Sequence, residues 1–173
     1  MKAMHQCILP VLATLASLLA PGPARATAPD WDQVANIKDA ALRLAQMQRT
    51  RGATKTFEFI DACYRTHGLS SKYTKAFEAC IAQDYLETQI LALIYSRLSP
   101  QTLERMGAPS PEMLAEAMGK RIGAAFAAYK VPAENVETFK KLVDEHGFPV
   151  FFQALFPDTK PPVPKRVLPD KKQ

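Results

Sequence analysis

Between Val34 and Phe156 apolar residues recur at helical spacing, and the period-two alternation that marks a strand is nearly absent. This restricts the chain to an all-α fold, and the breaks in the pattern set the number of helices. Asp30 is placed to cap a first helix with the stripe Val34, Ile37, Ala41 and Leu44, ending near Gly52. A second runs from about Thr54 to His67, with Phe57, Ile60 and Tyr64 inward and Gly68 as its stop. The third and longest spans about Lys72 to Leu98 and halts at Ser99-Pro100. Ser99-Pro100 and Ser110-Pro111 each read as an N-cap followed by proline in the first turn. The first opens a short turn ending at Gly107. The second opens a helix carrying Leu114, Met118, Ile122, Ala125 and Tyr129 on one face. A helix over about Ala133–His146 stops at Gly147, and Pro149–Phe156 forms a last apolar turn or two. The expectation is an irregular bundle of six or seven helices.

What precedes and follows this body differs from it. Residues 1–26 have the build of a secretory signal peptide: Lys2, a short apolar run from Ile8 to Ala20, and a small-x-small site at Ala24-Arg25-Ala26. Thirteen helical residues rise only about 20 Å, too little to cross a bilayer. Cleavage after Ala26 starts the mature chain at Thr27, since a cut after Ala28 puts a proline first. The domain plan is then a signal peptide over 1–26, a helical domain over 27–157 and a basic tail over 158–173. The tail, with five prolines between Pro157 and Pro169, reads as extended and solvated. Export points to the periplasm, and the mature chain is expected not to be transmembrane.

The net charge of +5 invites an acidic partner, but its location argues otherwise. Removing the signal peptide and the tail leaves fifteen basic and fifteen acidic residues in the body. A neutral body lacks the basic face of a nucleic-acid binder.

Two cysteines survive export, Cys63 and Cys80. In an oxidising compartment an even count argues for a disulfide, here stapling the second helix to the third. His67, one turn after Cys63, raises a metal site with Cys80 and Asp84 as the sharper alternative. A disulfide consumes both thiolates, however, and a histidine in the last turn before a glycine is explained by the helix C-terminus. His146-Gly147 repeats that ending. No metal and no cofactor is expected.

The third helix holds the anomaly. At 100° per residue, Tyr73, Phe77, Cys80, Leu91, Ile94 and Leu98 share one face, with Asp84 in its middle and Glu87 at its edge. Lys75, Glu78, Gln89 and Arg97 make the face expected to be solvated. A carboxylate on an apolar face needs a partner. Arg121 on the fifth helix is one candidate, with Tyr73, Tyr95 and helix N–H groups as others. Asp84, Glu87 and Arg121 are therefore expected to form a buried polar site.

Two further features suggest contacts. Gly119, Gly123 and Ala127 form a small-residue row that admits a neighbouring backbone, intramolecular or in a homodimer. Phe148, Phe151, Phe152 and Phe156 lie just before Lys165 and Arg166. They either close the core or form a partner surface for an envelope protein, membrane or wall. The functional expectation is an exported, non-catalytic helical module that binds a protein, an envelope surface or an apolar ligand. The alternative is a periplasmic enzyme or metal protein using Asp84, Glu87 and Cys63, His67 and Cys80.

Overall fold

The computed structural model describes residues 29–161. The expected signal peptide and cleavage site, and Lys165 and Arg166 of the tail, lie outside the described residues. Among the described residues all regular structure is helical, in the order α1 (Gln33–His67), α2 (Lys75–Tyr95), α3 (Pro100–Arg105), α4 (Pro111–Ala128), α5 (Ala133–Leu142), a π turn (Val143–Gly147) and α6 (Phe148–Leu155). The all-α class is as expected. The inventory differs because the first two expected helices join into α1.

Gly52 is the joint. Its φ of 78° and ψ of 171° are non-helical and lie where L side chains are disfavoured. The backbone turns there, and the Thr56 hydroxyl bonds the Gly52 carbonyl at 3.1 Å to start the second half. The two halves then run in opposite senses along α2. Asn36 meets Glu78 and Ala40 meets Gln83, so the first half is parallel to α2. Cys63 meets Cys80 and Gly68 lies against Phe77, so the second half is antiparallel. α1 is thus a bent clasp holding α2 between its arms.

α2 is the axis of the molecule. Every residue from Phe77 to Thr88 is buried, beneath both halves of α1, α4 and the π turn. A helix covered all round has no solvated face. The expected outer face is corrected accordingly: Glu78 has no exposed surface. Phe57 and Ile94, expected inward, are instead 47% and 43% exposed.

Local chemistry explains most boundaries. Asp32 rather than Asp30 caps α1, accepting from the Ala35 N–H at 2.9 Å. Thr74 caps α2 through the Phe77 N–H, and Ser99 and Ser110 cap α3 and α4 through those of Thr102 and Met113. Gly147 is not the expected stop; the chain stays helical through the π turn into α6. It is small for a packing reason. A Cβ there would meet Ile37 Cγ2 at 2.8 Å, so the turn can lie directly on α1.

The two ends of α2 differ. At its N-terminal end Trp31, Tyr73, Phe77, Phe126 and Tyr129 form an aromatic cluster, with Tyr73 5.7–6.3 Å from the other four ring centroids. At its C-terminal end Tyr95 and Leu98 line an open surface together with residues of α3 and the start of α4. Among the described residues no helix is long and apolar enough to cross a membrane.

Candidate functional site

The polar residues of α2 fall into three environments. The first is the expected one. Arg121 of α4 grips Asp84 through two bonds, Nη2 to Oδ1 at 2.6 Å and Nε to Oδ2 at 3.0 Å. Tyr64 donates to Asp84 Oδ2 at 3.2 Å, and Thr88 lies between Arg121 and Asp84 at 3.3 and 3.4 Å. Asp84 is buried while the Arg121 side chain is 48% exposed, so the pair has a wet cationic end and a dry anionic end. Burial and the Asp84 charge push the Tyr64 phenol far above its ordinary value, so it stays a neutral donor. The Asp84 bond holds Arg121 firmly protonated. Of the other partners considered for Asp84, Tyr73 turns to Glu78 instead.

The second environment centres on Glu78. Its Oε1 accepts from Trp31 Nε1 at 2.8 Å and Asn36 Nδ2 at 3.0 Å; its Oε2 accepts from Gln33 Nε2 at 2.6 Å and the Tyr73 hydroxyl at 3.3 Å. Four neutral donors thus enclose a carboxylate in the first turn of α2, where the helix dipole also favours it. This cluster ties the start of α1 to the start of α2.

Glu87 is the third, and it joins neither group. It is fully buried, and neither carboxyl oxygen has a hydrogen-bond partner among the described residues. Burial first, and then the Asp84 charge, raise its pKa to about 7. Sequence reasoning thus placed Asp84, Glu87 and Arg121 together, while the structure pairs only Asp84 with Arg121.

The remaining expected residues separate. Cys63 and Cys80 are joined in a disulfide with Cα atoms 5.6 Å apart. That consumes the thiolates of the Cys63, His67, Cys80 alternative. Among the described residues no group of three or more His, Cys, Asp or Glu side chains is placed to hold a metal ion. Phe148, Phe151 and Phe152 are buried in the core and close it over α1, so only Phe156, 40% exposed, is left of that expected partner surface. Gly119 and Gly123 face open space, with nothing within 4 Å of an added Cβ.

A surface cleft that sequence reasoning missed lies where α2 ends. It has a volume of about 580 Å³ and is lined by Tyr95, Leu98, Leu103 and Pro111, with Glu104 and Glu112 supplying its charge. Among the described residues no basic side chain lines it. Beside these lining residues in the chain stand Ile94, Met106 and Met113, 43%, 60% and 61% exposed. Hydrogen bonding to Ser110 and the backbone lowers the pKa of Glu112. Two Ser-Pro caps in quick succession enclose Leu103 and Met106, with Met113 just after them, but this spacing alone does not mark a cleft.

Comparison with known proteins identifies no relative: no family model, no curated protein and no solved structure matches the chain.

Proposed function

We propose that the chain is an exported, non-catalytic helical module that captures a basic, apolar segment of a partner protein in the cleft formed by α2, α3 and α4. The observation carrying this reading is the cleft itself. Among the described residues its lining holds apolar walls, two carboxylates and no cation. Ile94, Met106 and Met113, chain neighbours of the lining residues, are exposed, as are Arg97 and Arg105. Exposed methionines suit a surface that adapts to a peptide. The interior supports the same reading, because Asp84, Glu78 and both cysteines are engaged in holding helices together. Export is supported by the composition of residues 1–26 and by the disulfide.

The test is calorimetry on the oxidised mature chain with two twelve-residue peptides, one alternating Leu with Lys and one alternating Leu with Glu. The Leu/Lys peptide should bind at least tenfold more tightly, and Glu104→Lys with Glu112→Lys should abolish the difference. Equal affinities would remove the charge argument. Binding to anionic vesicles that requires Phe156, Lys165 and Arg166 would favour the envelope-surface reading instead.

A further inference from the structure

Among the described residues Glu87 is the one buried carboxyl that the fold leaves without a partner, and its position gives that a consequence. On α2, Gln83 is one turn before it and Asp84 three residues before it. Gln83 donates to the Ala40 carbonyl on the first half of α1, and Asp84 accepts from Tyr64 on the second half. At 100° per residue, Glu87 projects between these two directions, into the seam where both arms of α1 close on α2.

Two buried amide oxygens on these same elements lack a donor, as Glu87 does. Gln83 Oε1 is buried with no partner, because its amide nitrogen is committed to Ala40. Gln48 Oε1, farther along the first arm, is likewise buried and unpartnered. Among the described residues no cation is paired with Glu87. Lys38, Arg43, Arg49 and Arg51 on the first arm are exposed, as are Lys55 and Arg65 on the second, where they pair with Glu58 and Asp61; His67 is half-buried at its far end. The acidic residues of these arms, Asp39, Glu58 and Asp61, are exposed too. On α4, Arg121 is turned to Asp84 and Lys120 is paired with Glu116. On the π turn Asp144 is buried, Glu145 is exposed and His146 is half-buried. The charge that acts on Glu87 is Asp84, which disfavours ionisation.

We propose that Glu87 is a proton-operated lock on this seam: protonated, it donates to Gln83 Oε1 and the arms of α1 close on α2; ionised, it has no donor or counter-ion and the seam loosens. Residues one turn apart on a helix are within reach of each other, so the proton is the donor the site lacks. The direction follows from linkage. The folded state holds this proton more tightly than the unfolded chain does, so stability is greatest at acidic pH and falls as pH rises. Between the ordinary value of 4.5 and about 7 the loss amounts to roughly 300-fold in the unfolding equilibrium constant, at about tenfold per pH unit. Above that the loss is complete and constant. The lock rests on the core alone and stands apart from the cleft reading.

The experiment is a carboxyl-carbon NMR titration of the oxidised mature chain, with Glu87 assigned through its own backbone and hydrogen exchange followed in parallel. Glu87 should titrate near pH 7. Amide protection of α2 around Glu87, corrected for intrinsic exchange, should fall on going from pH 5.5 to 8.5. Glu87→Gln, which keeps an N–H donor at every pH, should hold that protection constant. A Glu87 midpoint near 4.5, or protection that does not change across this range, overturns the proposal. The titration needs no variant, so a Gln substitution that fails to fold does not decide the outcome.

Discussion

Asp84 and Glu87 lie less than one turn apart on α2 and differ in what faces them. Asp84 meets a guanidinium and a phenol, and the pair is complete. Removing one partner of a buried pair strands the other charge. Because Arg121 is about half in solvent, Arg121→Ala is expected to cost about 2 kcal/mol rather than the full figure for a buried pair. Denaturant unfolding should show that the cost shrinks in an Asp84→Asn background; an unchanged cost would mean the pair is uncoupled. A second residue-scale prediction concerns Lys130, which ends α4 at a φ of 55°. The Val131 N–H closes that end onto the Phe126 carbonyl at 3.1 Å, the bond of a left-handed helix cap. Lys130→Gly should therefore stabilise the fold by about 1 kcal/mol in the same assay. Asp84 and its arginine were legible in the sequence because a charge on an apolar stripe demands an opposite one. Glu78 was not, because it fell on the face opposite that stripe. The apolar residues off the stripe, among them Ile81, Ala82, Tyr85, Leu86 and Ile90, were the sign that no face of α2 is exposed.

At the scale of elements, the capping residues were the most readable. Ser99 and Ser110 act locally, through an oxygen and the N–H three residues on, while Asp32 and Thr74 cap their helices two residues from the expected starts. Glycines were less so, because three identical letters play three parts. Gly52 provides a left-handed backbone and bends α1; Gly68 ends it beside Phe77; Gly147 ends nothing and admits Ile37. The last part depends on a residue 110 positions away, which no local pattern reports. Gly147→Ala should push the π turn off α1 and destabilise the protein by about 2 kcal/mol, read as a lowered denaturation midpoint. A neutral result would show that Ile37 moves aside freely. The disulfide holds the second arm of α1 to α2 across a separation of 17 residues. Replacing both cysteines with alanine should cost about 3 kcal/mol, detectable as a fall in thermal midpoint that matches the effect of reductant.

At the scale of the whole molecule, α2 has one sealed end and one open end. Aromatic rings and the four donors to Glu78 close its N-terminal end. Its C-terminal end borders a cleft whose charge is negative although the chain as a whole is basic. The sequence announced the helical class and the staple, since both follow from periodicity and cysteine count. It did not announce the cleft, which needs residues from the end of α2, α3 and the start of α4 brought together. A phenylalanine-rich segment looked like the better docking surface, yet most of it is core. The most direct measurement is therefore a ¹H–¹⁵N map of the oxidised mature chain titrated with the Leu/Lys peptide. Saturable shifts should concentrate on Tyr95, Leu98, Leu103, Glu104, Ala108 and Glu112. Shifts confined to Phe156 and the tail, or none at saturating peptide, would contradict the account.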